Sequence, residues 1–102
     1  MIGAKIKELR TNKGLTQEEL SEKVGVNPKY LSSIERGKGN PTLNTLIKLS
    51  ESLEVDIGDI FIFRFVEAED PDRRRDLINS FLDEANSEQL KLILKVLSVI
   101  VR

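Results

Sequence analysis

The chain has 102 residues, 39% of them hydrophobic and 32% charged, with a net charge of −1, proportions ordinary for one folded domain with a small appendage. It contains no cysteine and no histidine, which excludes disulfides, thiolate nucleophiles, imidazole bases and zinc-finger ligand sets. No nucleophile–base pair, Gly-rich phosphate loop or metal-ligand cluster is legible, so no catalytic residue, no cofactor and no metal is expected, and the protein is read as a non-enzyme.

The N-terminus lacks the apolar run of a signal peptide, and no apolar stretch reaches the about 20 residues that cross a bilayer. A cytoplasmic protein with no membrane role is the expectation. The distribution of charge says more than its sum. Residues 1–40 carry eight bases and five acids, a net of +3, whereas residues 67–102 carry six bases and eight acids, a net of −2. A basic end suits an anionic partner such as nucleic acid.

The elements are read in chain order. Ile2, Ile6 and Leu9 recur at helical spacing over residues 2–13, and Gly14 stops that helix. Thr16-Gln17-Glu18-Glu19 is a capping box, in which the Thr16 hydroxyl and the Glu19 carboxylate each satisfy the other's backbone N–H. The short helix that follows, with Leu20 and Val24 on one face, ends at Gly25. Asn27-Pro28 restarts the chain at once, because Asn is a good N-cap and Pro suits the first helical position. Leu31 and Ile34 form the inner stripe of this third helix. Thr42 caps a fourth carrying Leu43, Leu46, Leu49 and Leu53, and Asp56 caps a short fifth over residues 57–61. Residues 60–66 alternate loosely, and period alone does not separate a helix end from a short strand there. Residues 67–72 read as an acidic linker. Two more helices follow, the first over residues 72–85 and the second, capped by Ser87, over residues 88–101.

The informative feature is the pair of short helices at 16–24 and 28–36, joined by a glycine-containing turn. That spacing sets them at a steep angle, so that the second can project and enter a DNA major groove. Three stretches frame the pair: Gly14-Leu15-Thr16-Gln17-Glu18-Glu19-Leu20-Ser21, then Tyr30-Leu31-Ser32-Ser33-Ile34-Glu35-Arg36-Gly37-Lys38, then Asn40-Pro41-Thr42-Leu43. In this order and spacing, residues 1–62 resemble the lambda-repressor-like family of helix-turn-helix transcriptional regulators, the Cro and phage-repressor type.

The resemblance implies an all-α fold with a five-helix lambda-repressor-like DNA-binding domain, assigned to residues 1–66, and the helical spacing beyond the linker adds a C-terminal two-helix hairpin over residues 73–102. The resemblance also implies double-stranded DNA as partner, with Asn27, Pro28, Lys29 and Ser33 facing base edges. Lys29 suits guanine O6 and N7, Ser33 specifies weakly, and Pro28 can touch a thymine methyl but cannot read by hydrogen bonding. Gln17, Arg36, Lys38, Asn40 and Thr42 match the positions that grip the sugar–phosphate backbone, setting register without encoding sequence. Arg10 and Glu35 match a structural salt bridge between the first and third helices. Tyr30 is expected to pack against the body, and Arg73-Arg74-Arg75 to form a solvated helix face.

The tail carries a separate signal. Nine of the twelve residues from 90 to 101 are apolar, and Lys91, Lys95 and Ser98 share one narrow stripe. So wide an apolar face needs a cover beyond one neighbouring helix. The expectation is a homodimer across a two-fold axis, with Leu90, Ile93, Leu94, Leu97, Ile100 and Val101 in the interface and Phe61, Phe63 and Phe65 as further contributors. A paired molecule would present two recognition helices to a two-fold related operator. Other readings are the antitoxin half of a toxin–antitoxin pair, with the toxin or another protein antagonist as partner, and a protein-interaction module that uses the apolar C-terminal helix.

Overall fold

The computed structural model describes residues 2–66 and 70–100, and the side chains of all of these except 65, 66, 97, 99 and 100. The described residues form seven helices and no strand. Two compact units divide them, Met1–Glu67 and Ala68–Arg102.

The first unit holds five helices: α1 (Ile2–Asn12), α2 (Gln17–Val24), α3 (Pro28–Glu35), α4 (Leu43–Leu53) and α5 (Ile57–Val66). Their ends are set by local chemistry. Thr16 Oγ1 accepts from the Glu19 N–H at 3.1 Å, and the Thr16 N–H donates to Glu19 Oε1 at 3.1 Å, closing the capping box of α2. Gly25 stops α2 in the left-handed region, with φ of 81°. Two residues on, Asn27 Oδ1 accepts from the Lys29 N–H at 2.8 Å and starts α3. Thr42 Oγ1 accepts from the Thr45 N–H at 3.2 Å and starts α4. α4 ends on Glu54, which takes up φ of 56° without being glycine.

These short helices hold one another through a shared core. α3 packs on α1 and α2, α4 on α2 and α5, and α5 also on α1. Leu20, Leu31, Leu43, Leu46, Leu49 and Phe61 are essentially inaccessible to solvent, and full burial of each such side chain contributes about 1.5–3 kcal/mol. Gly3 lets α1 lie directly on the end of α3, since a Cβ there would strike the carbonyl oxygens of Ile34 and Glu35.

Residues 60–66, ambiguous between helix and strand in the sequence, are helical as far as Val66. The reason lies in the burial pattern: Ile60 and Phe61 are both 1% exposed whereas Ile62 and Phe63 are 44% and 39% exposed. Neighbours thus share a face in pairs, a helical arrangement that alternation obscures.

The second unit contains α6 (Pro71–Glu84) and α7 (Ser87–Ile100), joined through Ala85 and Asn86. α6 begins inside the stretch that reads as acidic linker. Asp70 Oδ1 accepts from the Asp72 N–H at 3.1 Å, and Pro71 occupies the first turn. The cap of α7 is Asn86 and not Ser87. The Gln89 N–H donates to Asn86 Oδ1 at 2.8 Å, and the Asn86 N–H donates to Gln89 Oε1 at 3.1 Å. Gln89 sits three residues after Asn86, so only that register closes a reciprocal box. Phe81 and Ile93 are buried in this unit.

Candidate nucleic-acid interface

α3 divides cleanly into two faces. Leu31, Ile34 and Glu35 are buried, and they fix the helix from beneath. Asn27, Pro28 and Lys29 are exposed at its N-terminal tip, and Ser33, one turn further on, is half-buried. The inner face makes the outer one rigid: a helix only eight residues long holds its shape through tertiary packing and not through propensity.

At the C-terminal end of α3 lies a buried polar cluster around Glu35. Arg10 Nε donates to Glu35 Oε2 at 2.7 Å and Arg10 Nη2 donates to Glu35 Oε1 at 3.0 Å, a bidentate pair. Arg10 Nη1 donates to the Leu15 carbonyl at 2.8 Å, which ties in the turn ahead of α2. The hydrogen bond to Glu35 holds the Arg10 guanidinium above its ordinary range, against the opposing effect of burial. Arg10 is therefore charged at any working pH.

Gln17 joins this cluster, its Nε2 donating to Glu35 Oε1 at 3.1 Å. The sequence suggests an outward side chain gripping phosphate. The half-buried amide instead turns toward a desolvated carboxylate that has lone pairs to fill. One Nε2 hydrogen is used in that bond, and the amide carries a second.

Residues 36–42 run from α3 to α4. Arg36, Lys38, Asn40 and Thr42 are all exposed, but they are not equivalent. Gly37, with φ of 77°, turns the chain. The N–H groups of Lys38 and Gly39 donate back to the Ser33 carbonyl at 2.9 and 3.0 Å. Thr42 commits its hydroxyl to capping α4, where it also meets Thr45 Oγ1 at 2.9 Å. Asn40 is held from two sides. Arg64 Nη2 of α5 donates to Asn40 Oδ1 at 2.5 Å, and the Tyr30 hydroxyl of α3 lies 3.5 Å from the Asn40 carbonyl. Tyr30 is half-buried. Arg64 is the residue that sequence reasoning missed. It lies 24 positions from its partner, in a segment whose period alone does not fix a helical phase, and no local signal marks it.

In the second unit, Leu90 and Leu94 are 38% and 56% exposed, whereas Ile93, grouped with them on sequence as a partner-facing residue, is buried at 6%. Its position one helical step away turns it inward. The Leu97 and Ile100 side chains and the whole of Val101 lie outside the described residues, as does the Phe65 side chain. Arg73, Arg74 and Arg75 are exposed, with Arg75 Nη1 3.6 Å from Asp72 Oδ1. Among the described residues no helix is long and apolar enough to cross a membrane, and no group of His, Cys, Asp and Glu side chains is placed to hold a metal ion.

Comparison with known proteins is specific for the first unit. Residues 6–60 match the family model described as Helix-turn-helix. The uncharacterized HTH-type transcriptional regulator y4dJ of Sinorhizobium fredii is 47% identical over 55 residues, which are 54% of this chain and 71% of that protein. The crystal structure of SinR, a master regulator for biofilm formation, in complex with DNA covers 60% of this chain and 98% of its own, at 45% identity and a TM-score of 0.57. The complex of SinR protein with SinI protein covers 96% of this chain and 95% of its own, at 32% identity and a TM-score of 0.59.

Proposed function

The chain belongs to the helix-turn-helix family of DNA-binding transcriptional regulators, and on that premise we propose that it is a dimeric repressor reading a two-fold related operator through α3. One observation carries the reading. The tip of α3 exposes Asn27, Pro28 and Lys29 while Leu31, Ile34 and Glu35 lock the helix from below. A side chain that must meet a base edge needs that combination of exposure and rigid support.

In this reading α3 enters the major groove tip first. Lys29 donates to guanine O6 and N7, Ser33 adds a weaker contact, and Pro28 lies against a thymine methyl. Arg36, Lys38 and Asn40 meet the flanking phosphates, together with the second Nε2 hydrogen of Gln17, and carry the salt-dependent part of the affinity. The Arg10–Glu35 pair touches no DNA and keeps α3 at its angle. Residues 1–66 act as the reading head, 67–72 as connection and 73–102 as the segment that pairs two copies, placing their recognition helices about 34 Å apart, one turn of the duplex.

Leu90 and Leu94 support the pairing role, because they are large, apolar and exposed. A protein antagonist acting on the same helices is the second reading. The likeness to SinR in its complex with SinI extends over nearly the whole chain, and there a regulator is in complex with another protein. Competition for the apolar face of α7 would then separate the paired recognition helices. The antitoxin reading gains no support of its own.

The direct test is recovery of bound sites from a random duplex pool, by the intact chain and by Lys29→Ala and Ser33→Ala. A two-fold related consensus that loses information at matching positions in the variants is expected. Unaltered preferences in both variants would refute base reading through α3.

A further inference from the structure

We propose that Arg64 is a positioning residue for DNA binding, fixing the Asn40 amide so that its N–H donors, and not its carbonyl oxygen, face the nucleic-acid backbone. The inference rests on the reading of residues 36–42 as a phosphate-gripping loop and gives that loop a mechanism.

An Asn amide has two chemically opposite ends. Rotated one way it offers two donors, and rotated the other way it offers an acceptor. Phosphate oxygens only accept, so one orientation binds a phosphate and the other repels it. A guanidinium only donates. With Arg64 Nη2 2.5 Å from the Asn40 side chain, the atom facing Arg64 has to be Oδ1. Nδ2, on the other branch of the same planar group, is left with its hydrogens for an incoming acceptor, and Asn40 is an exposed residue.

The backbone of Asn40 is constrained as well, which makes the fixed amide useful. Pro41 follows it and is buried, and a residue before proline is confined to extended conformations. The Tyr30 hydroxyl reaches the Asn40 carbonyl from α3, the recognition helix itself. Asn40 is thus referenced to α3 through Tyr30 and to α5 through Arg64. A donor placed in this way sits at a set distance from the base-reading tip, and register on a duplex depends on such distances.

The test uses the full chain and a duplex recovered by selection, with affinity measured over a range of salt concentrations. Arg64→Ala and Asn40→Ala are each expected to weaken binding about ten-fold, a loss of the size that one charge-assisted contact supports. The double variant is expected to bind no more weakly than the weaker single one, because both remove the same contact. The slope of log affinity against log salt should barely change in Arg64→Ala, whereas a direct phosphate contact by Arg64 would reduce it by about 0.9. Arg64→Lys, still a pure donor, should recover part of the loss. Asn40→Asp keeps an oxygen for Arg64 but removes the N–H donors, and should bind at least as weakly as Asn40→Ala, which keeps the test decisive even where Arg64→Ala fails to fold. Undiminished affinity in Arg64→Ala or in Asn40→Asp would overturn the proposal, as would additive losses in the double variant. Salt-independent or absent binding by the unaltered chain would instead overturn the DNA-reading function on which it rests.

Discussion

Arg10 and Glu35 face each other across the α1–α3 contact as a bidentate ion pair, with Nε 2.7 Å from Oε2 and side-chain exposures of 10% and 2%. A third donor, Gln17 Nε2, completes the carboxylate. Buried pairs are costly to break from one side, because the remaining charge stays desolvated, at about 3–5 kcal/mol. Replacing both partners with apolar residues of similar volume is far milder. Arg10→Met and Glu35→Leu should therefore each lower the urea midpoint sharply, while the double variant recovers much of the loss. A double variant as unstable as the sum of the singles would mean that the two residues act independently.

The pair also shows what a sequence can and cannot disclose. The caps at Thr16, Asn27 and Thr42 are legible because each lies within three residues of the N–H it satisfies, whereas Arg10 and Glu35, 25 positions apart, are legible only through the family resemblance. The length of α5 is less legible, since Ile60, Phe61, Ile62 and Phe63 are all apolar and hydropathy alone does not say which two face inward. Position alone does not disclose that the Gln17 amide also donates to Glu35, a carboxylate already paired with Arg10. The Arg64–Asn40 bond was illegible, because it depends on where α5 ends relative to a loop 24 residues earlier.

Gly3 provides a test of how tightly the reading head is seated. Its missing Cβ is what lets α1 meet the last carbonyls of α3, and those are backbone atoms that cannot rotate away. Gly3→Ala improves helix propensity locally, so an isolated α1 would gain. In the folded protein the collision should dominate, costing about 1–3 kcal/mol as overpacking does and lowering Tm by several degrees in thermal unfolding followed by circular dichroism. An unchanged or raised Tm would show that α1 shifts freely on α3.

Glu54 offers the opposite sign. It holds a left-handed backbone, φ of 56°, at the end of α4, where a side chain costs about 1 kcal/mol relative to glycine. Its contact with Lys13 Nζ, 3.2 Å away, is mostly exposed on the Glu54 side at 78% and contributes little. Glu54→Gly is expected to raise the urea midpoint, whereas Glu54→Ala, which keeps the strain and loses the contact, is not. A gain in the alanine variant would point to charge and not to backbone strain.

Lys29 and Lys38 are both exposed lysines but are assigned different duties. Lys29→Ala should lose about 1–3 kcal/mol of discrimination at one base pair, a loss visible only when the preferred base is present. Lys38→Ala should weaken all duplexes alike and reduce the salt slope by about 0.9. Titrations of each variant against preferred and scrambled duplexes at several salt concentrations separate the two. Equal losses on both duplexes for Lys29→Ala would reassign it to the backbone.

Leu94 is the best probe of pairing, because at 56% exposure it contributes little to its own chain's core while presenting a large apolar surface. Leu94→Lys should leave helicity and Tm of the first unit nearly intact but place a charge in the proposed interface, where an unpaired buried ammonium is strongly unfavourable. Sedimentation equilibrium should then show a dimer for the unaltered chain and a monomer for the variant. Operator affinity should fall with it, since the second recognition helix is no longer held at high effective concentration beside the first. A short duplex carrying one half-site should bind both forms equally, because the reading head is untouched. If Leu94→Lys stays dimeric, or if the half-site discriminates between the two proteins, α7 is not the pairing element and its apolar face serves another purpose.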